Sequence, residues 1–230
     1  SAMVGGTLHW IFRHFGPLGI VFEALVATVF LAHKSLVDHV RAVADGLREG
    51  GLEGGRSAVS RIVGRDPDTL DESGVSRAAI ESLAENFADG VIAPAFWFAL
   101  LGLPGLFAYK MLNTADSMIG HMSERHGDFG RFAARLDDVA NWIPARLTGF
   151  LLVCAGAIRS GWPTARKAWS VMLRDARSHR SPNAGWPEAA MAGVPFANRY
   201  VFNEQNPPVP PAGKFPLLFS KAQEKFRSYW

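Results

Sequence analysis

The chain has 230 residues, a length that suits one large domain or two small ones. Hydrophobic residues make up 48% of it, charged residues 20%, and the mean hydropathy is +0.06. These values allow either a soluble protein with a large core or a membrane protein with sizeable polar loops. The net charge is only +3, and no basic run alternates with aromatic residues, so the composition argues against a nucleic-acid partner.

The first predicted element is an apolar helix at residues 15–32, which contains a single acid, Glu23. A run of this length can form a membrane span of about 20 residues, and a lone glutamate in a span faces other protein rather than lipid. A buried core helix is the alternative. Residues 34–60 then alternate charged and aliphatic residues, as an amphipathic helix does. Four glycines bracket a turn inside this segment: Gly50, Gly51, Gly54 and Gly55.

The most informative stretch is residues 77–146, because polar residues stand at both ends of an apolar run. Four charged residues are spaced by four, which places them on one helical face: Arg77, Glu81, Glu85 and Asp89. Residues 91–109 carry no charge but include two prolines and two glycines. This run is therefore either an interrupted membrane span or two shorter helices joined by a re-entrant turn.

Two further polar patches follow. Three- and four-residue spacing places the second patch on one helical face: Lys110, Asn113, Asp116 and Ser117. The third patch consists of Asp137, Asp138 and Asn141. It comes just before another apolar run at 147–158, the weakest of the three candidate spans.

Residues 121–134 are predicted to be a polar loop, whose two histidines lack a third zinc ligand at recognisable spacing. The arginine-rich segment 159–180 would lie in the cytoplasm of a membrane protein.

The chemistry of these patches comes from carboxylates and amides with basic residues nearby. No phosphate-binding glycine loop and no nucleophile–base order is present. Oxygen ligands of this kind suit Mg²⁺, which binds through one or two carboxylates together with waters and substrate phosphates. The residues therefore predict magnesium-assisted chemistry on a phosphorylated substrate, provided that the patches converge. Solvated helix faces are the alternative for any single patch.

Four blocks of the chain resemble the CobD/CbiB family of cobalamin biosynthesis, the adenosylcobinamide-phosphate synthases. In the order of that family, they read GRDPDTLDESGVSRAAIESLAENFADGVIAPAFW, AYKMLNTADSMIGH, RLDDVANWIPARLTG and RDARSHRSPNAGWPEAAMAG. The resemblance implies an all-α, multi-pass protein of the bacterial inner membrane. It also implies that ATP and Mg²⁺ drive the joining of aminopropanol, or its phosphate, to adenosylcobyric acid. Partners would then be the corrinoid, the amine, the lipid bilayer and other cobalamin-assembly enzymes.

The resemblance covers residues 18–193, so residues 1–193 are predicted to form one membrane-embedded domain. Residues 194–230 are predicted to be a proline-rich tail that departs from the family. The candidate catalytic acids are Glu81, Glu85, Asp116 and Asp137. The candidate Mg²⁺ ligands are Asp89, Asp116 and Asp138. The candidate substrate and phosphate contacts are Arg65, Asn86, Lys110, Asn113, Ser117, Arg135, Asn141, Arg146, Arg174 and Asn183.

Two other functions remain open at the level of sequence. One is a soluble all-α, Mg²⁺-dependent enzyme of the prenyl-diphosphate kind, whose acid-rich helices the DDVAN segment imitates loosely. The other is a non-enzymatic membrane component for transport or assembly, in which buried polar residues line a path.

Overall fold

A computed structural model describes residues 2–64, 66–119 and 127–194, and these residues form helices and turns without a strand. Eight α-helices follow in chain order: α1 (Ala2–Arg13), α2 (Pro17–Phe30), α3 (His33–Val59), α4 (Glu72–Phe87), α5 (Ala93–Ile119), α6 (Gly127–Ser160), α7 (Trp162–Asp175) and α8 (Gly185–Ala192). Short 3₁₀ turns lie at Pro67–Thr69 and Ala176–Ser178, and a π-helical turn lies at Ala88–Ile92. The all-α prediction is confirmed. The predicted tail beyond Val194, Arg65, and the two histidines of the predicted loop lie outside the described residues.

Glycines with positive φ mark the points at which helices change direction. In the described chain the positive-φ residues are all glycines: Gly16, Gly51, Gly102 and Gly161, with φ between 57° and 83°. Gly16 separates α1 from α2, and Gly161 separates α6 from α7. A side chain with a Cβ atom is strained in this backbone conformation, so glycine is the residue that permits these tight reversals.

Gly102 divides α5 into two arms that fold against each other. A Cβ atom on Gly105 would lie 2.5 Å from the carbonyl oxygen of Trp97. Residues eight apart in a straight helix are about 12 Å apart, so this approach requires the chain to reverse at Gly102. The structure therefore selects the two-helix alternative for the apolar run 91–109. The chain also reverses at Gly51 inside α3, where Gly46 and Gly54 face each other. The turn predicted for this segment is confirmed.

The limits predicted for the polar loop before the third apolar run are wrong. Residues 127–134 are helical and not part of a polar loop, because α6 begins at Gly127. The run 147–158 is the end of this 34-residue helix and lies within the third candidate membrane span, Gly130–Ser160. Gly130 and Ala133 are buried, and burial of this kind outweighs the weak helix propensity of the two glycines in the first turn.

Four hydrophobic clusters form the core of the described residues, and two of these parts hold the polar helices in place. One part joins α3 to α4 through Val43, Val59 and Val75, each completely buried. The other joins α6, α7 and α8, and its members are Val153, Ala165, Ala168, Met172, Ala190 and Val194. Helix α4 begins at an Asp71 cap whose Oδ1 accepts a hydrogen bond from the Gly74 amide at 2.6 Å.

Large apolar side chains cover much of the surface, which distinguishes the protein from a soluble one. Three helical segments are long and apolar enough to cross a membrane: they lie within Pro17–Val59, Glu72–Met118 and Gly130–Ser160. Only 6% of the most apolar window in the first segment is buried within the chain, and Val29 is 81% exposed. Apolar surface of this extent requires a nonaqueous environment or a partner. The fold is that expected of an all-α membrane protein, and the soluble alternative does not account for it.

Candidate functional site

Four aspartates from three separate segments come together, and we call them the acid cluster: Asp89, Asp116, Asp137 and Asp138. Asp89 lies in the π-helical turn, Asp116 near the end of α5, and the adjacent pair in α6. Asp116 is close enough to each of the other three for their charges to repel one another. The three polar patches that are separate in the sequence therefore share one site.

Lys110 and Glu85 lie at the Asp89 side of the acid cluster. The Lys110 ammonium attracts the Asp89 carboxylate, whereas the exposed Glu85 adds a further negative charge. Lys110, Asn113 and Asp116 all contact the cluster from one face of α5, as their spacing predicts. A single lysine beside several carboxylates leaves the site strongly negative in the described structure, which favours a cation at this place.

A buried hydrogen-bond chain fixes one side of the acid cluster. The Tyr109 hydroxyl donates to Asn141 Oδ1 at 2.9 Å, and Asn141 Nδ2 donates to Asp137 Oδ2 at 2.8 Å. The same hydroxyl also lies 3.2 Å from the Asp89 carbonyl oxygen. Tyr109 is absent from the residues singled out in the sequence, where it closes an apolar run. Its position immediately before Lys110 is the only signal that could have identified it.

Two buried oxygens at the acid cluster receive no hydrogen bond of good geometry. One is Asp137 Oδ1, although Asn113 lies near enough to stabilise its charge. The other is Asn183 Oδ1. The amide nitrogen of Asn183 donates to the Asp138 carbonyl oxygen at 2.8 Å and to Asp138 Oδ1 at 3.3 Å. A buried polar atom without a partner costs about 1–3 kcal/mol. These two oxygens therefore favour an additional donor or cation at the site.

The acid cluster does not form a metal centre from protein ligands alone. In the parts of the chain that the structure describes, no group of three or more acidic, histidine or cysteine side chains has the geometry to hold a metal ion. Mg²⁺ commonly takes only one or two carboxylates and completes its shell with waters and substrate phosphates. The donor set, with its unpartnered Asp137 oxygen, fits this mode of binding.

Arg146 is held between two indole rings. Its guanidinium lies 4.0 Å from the centre of the Trp142 ring and 4.8 Å from that of Trp186, and it donates to the Trp142 carbonyl oxygen at 2.6 Å. Arg177 is close enough to repel it. Two guanidinium groups that repel each other form a place where an anion would be stabilised.

Several predicted contact residues form hydrogen bonds with residues outside the acid cluster. Arg174 is exposed and forms a two-point ion pair with Asp175, at 2.6 and 2.7 Å, which raises the pKa of the arginine. Ser117 and Arg135 are exposed, and the Ser117 hydroxyl donates to the Asn113 carbonyl oxygen. Asn86 is also exposed and donates to Ser82. The functional roles predicted for these residues stay predictions.

Glu81 belongs to a different polar group, together with His179 and Glu188. His179 Nε2 lies 3.6 Å from Glu188 Oε2, and Glu81 is near enough for its charge to act on the ring. Burial lowers the pKa of His179, while a Ser181 backbone contact and Glu81 oppose the shift. Glu81 lies eight residues before Asp89, which is about 12 Å along a helix.

A turn at residues 179–184 connects this second polar group to the acid cluster. The Ser181 amide donates to His179 Nδ1 at 3.0 Å. The amides of Asn183 and Ala184 both donate to the Ser181 hydroxyl oxygen at 3.2 Å. Asn183 then reaches Asp138, as described above. The histidine therefore helps to hold the turn that carries Asn183.

Comparisons with known proteins agree with the sequence blocks. The model of the family described as CobD/Cbib protein matches residues 1–197. A Brucella suis protein named cobalamin biosynthesis protein CobD is 64% identical over 190 residues, which are 83% of this chain and 58% of that protein. A protein of the same name from a Sinorhizobium species is 66% identical over 84% of this chain and 60% of that protein. Another from Rhodobacter capsulatus is 56% identical over 76% of this chain and 54% of that protein.

The chain thus spans between 54% and 60% of the length of these curated relatives. No solved structure matches it. The family resemblance drawn from the four sequence blocks is confirmed, because the matching model extends over most of the chain at high identity to named members. The chain belongs to the CobD/CbiB family.

Proposed function

We propose that this protein acts in cobalamin biosynthesis as an ATP- and Mg²⁺-dependent ligase at the bacterial inner membrane. Its reaction would join the amine of aminopropanol, or of aminopropanol phosphate, to a carboxyl group of adenosylcobyric acid. The names of the relatives support the pathway, and the three apolar segments support a membrane location. The amide-forming step is what the resemblance to the CobD/CbiB family implies, and the carboxylates of the site suit the Mg²⁺ that it would require.

The observation that carries the proposal is the meeting of four aspartates around a buried Tyr109–Asn141 pair. Their carboxylates repel one another and one oxygen, Asp137 Oδ1, has no hydrogen-bond partner. A metal-bound polyphosphate would relieve both conditions, since the metal takes carboxylate oxygens and the phosphates complete its shell. Mg²⁺ would supply neutralisation of the phosphoryl charge.

The reaction requires activation because a carboxylate is a poor acyl donor. In the first proposed reaction step, the substrate carboxylate attacks the terminal phosphorus of ATP and displaces ADP, which yields an acyl phosphate. The amine then attacks the acyl carbon and expels inorganic phosphate, and one proton leaves the new amide nitrogen. Glu85 stands at the edge of the acid cluster, exposed enough to accept such a proton. Lys110 and Arg146 are suited to phosphate oxygens.

The proposal is tested by assaying the protein in detergent for ATP-dependent conversion of adenosylcobyric acid, with the product detected by mass spectrometry. Asp116→Asn and Asp138→Asn keep side-chain size but remove a charge, and each is expected to lower kcat/KM about 100-fold or more. Asp38→Asn is the control, because Asp38 is exposed on α3. Full activity of both cluster variants, with normal folding, would contradict the proposal.

A further inference from the structure

A cavity lies between α3 and α4. It has a volume of about 430 Å³ and is bounded by the first two turns of α3, by residues 61–64 and by α4. Ser82 on α4 donates to the Ile62 carbonyl oxygen at 3.0 Å, and the Ala32 amide donates to the Gly90 carbonyl oxygen at 3.0 Å. The walls are therefore fixed to one another by hydrogen bonds between segments that are distant in the chain.

The lining of this cavity is half apolar and half polar, and its charge has one sign. Its titratable members among the described residues are Arg61 and His39, and no aspartate or glutamate lines it. His39 Nδ1 lies 2.6 Å from the Ser35 carbonyl oxygen, which fixes the ring and leaves Nε2 as its second polar atom. Asn86 uses its nitrogen on Ser82 and retains an amide oxygen. Arginine, histidine and serine together suit an anion with several oxygens.

The size of the cavity limits what this anion can be. A volume of about 430 Å³ lies at the lower end of the range for small-molecule sites, and a corrin ring with its side chains exceeds it. The lining contains no carboxylate that would bind the metal of a magnesium–nucleotide complex. The apolar half of the wall, which includes Leu36 and Val40, suits a short carbon chain.

The cavity is close to the acid cluster along the backbone. Asn86, in its wall, precedes Asp89 by three residues, a rise of about 4.5 Å along a helix. Gly90, whose carbonyl oxygen accepts the Ala32 amide, directly follows Asp89. One wall of the cavity and one aspartate of the acid cluster are therefore carried by adjacent turns of the same helical segment.

We propose that this cavity binds the phosphate end of a small phosphomonoester through Arg61 and His39. The ligand is a short-chain molecule whose free end extends toward the acid cluster. If the proposed function holds, on which this last assignment rests, the ligand is the phosphorylated form of the amine substrate. The cavity then determines which amines the enzyme accepts.

Binding is measured first without ATP or corrinoid, so that the outcome does not depend on amide formation. Isothermal titration of the detergent-solubilised protein with O-phosphoethanolamine is expected to show saturable binding, and inorganic phosphate to compete. Arg61→Gln is expected to weaken binding about 10-fold or more, as loss of one charge-assisted contact does. Arg41→Gln, an exposed arginine on α3 outside the cavity, is expected to leave binding unchanged.

A second variant covers the case in which Arg61→Gln fails to fold. Val40→Phe adds volume to the apolar wall and leaves Arg61 in place, and it is expected to abolish binding of the organic phosphate. Equal affinity of wild type and both variants, or an absence of binding to all of them, overturns the cavity assignment. In the ligase assay, Arg61→Gln is expected to raise KM for the phosphorylated amine about 10-fold, with KM for ATP unchanged. An unchanged KM for the amine overturns the link to the ligase reaction.

Discussion

His179→Gln tests whether the turn that carries Asn183 depends on one ring nitrogen. In the neutral ring, Nδ1 accepts the Ser181 amide at 3.0 Å, and Nε2–H faces Glu188. Glutamine places its polar group near the position of Nε2 and leaves the Ser181 amide without an acceptor. Asparagine places its amide oxygen near the position of Nδ1 and keeps that acceptor. The two variants therefore separate the roles of the two nitrogens.

The expected magnitude follows from the burial of the contact. The His179 side chain is 17% exposed, so water replaces the lost acceptor poorly. An unsatisfied donor in such a place costs about 1–2 kcal/mol, which corresponds to a fall in Tm of about 2–8 °C for a chain of this size. His179→Asn is expected to lose less than half of that, because the Ser181 contact is retained.

The stability of the wild type should also depend on pH through this ring. Burial lowers the pKa of His179 in the folded protein, whereas the unfolded chain has the ordinary value of 6.5. The stability that the neutral, buried His179 ring contributes is therefore fully present above pH 6.5. It is lost as the pH falls through 6.5 toward the lower pKa of the folded protein. Glu81 and Glu188 are the charged groups that face the ring from α4 and α8. Both favour the protonated ring, so they reduce this effect.

Thermal unfolding in detergent between pH 7.5 and 5.5, followed by intrinsic fluorescence, measures both effects. The wild type should lose stability on acidification more steeply than His179→Asn, which has no imidazole to protonate. Ligase activity of His179→Gln should fall together with its stability, because Asn183 loses its support, and His179→Asn should recover most of it. Equal Tm values for the two variants, together with parallel pH curves for the wild type and His179→Asn, would refute the reasoning.

Three further substitutions test the fold around the acid cluster. Tyr109→Phe removes the hydroxyl that donates to Asn141 at 2.9 Å, and should lower the free energy of unfolding by about 1–2 kcal/mol in a denaturant titration. Gly102→Ala forces alanine into φ +64° and should cost about 1–2 kcal/mol, whereas Gly6→Ala, in an open helical position, should be neutral or stabilising. Gly193→Ala brings a methyl group onto the backbone of α7 and should lower the yield of folded protein, measured by gel filtration; unchanged elution and yield would contradict the close packing.

Local spacing predicted those features of the site that lie within one helix. Lys110, Asn113 and Asp116 share a face of α5, and all three act on the acid cluster. The Asp137–Asn141 pair, four residues apart in α6, forms a hydrogen bond. The glycines and prolines of the run 91–109 also predicted an interruption, which the structure places at Gly102. The first two of these conclusions depend on helical periodicity, and the third depends on the backbone preferences of glycine and proline.

The features that could not be predicted depend on register and on contacts between segments. Glu81 belongs to the same four-residue pattern as Asp89, but its charge acts on His179, a residue 98 positions later in the chain. In the sequence, Tyr109 is only the last residue of an apolar run. The structure shows that its hydroxyl donates a hydrogen bond to Asn141, 32 residues away. The beginning of α6 was missed because glycine weakens local helix propensity, whereas burial of Gly130 against the rest of the protein decides the outcome.

The reversal at Gly102 also explains how acids far apart in the chain come to meet. Asp89 lies thirteen residues before this glycine and Asp116 fourteen residues after it, so the two arms have nearly equal lengths and bring their free ends to the same height. The relative position of the two carboxylates thus depends on the number of residues between each aspartate and Gly102. Deleting one residue from either arm would turn one carboxylate by about 100° and shift it by about 1.5 Å. Such a deletion would leave the hydropathy and composition of the chain almost unchanged, but it would move one aspartate out of the acid cluster.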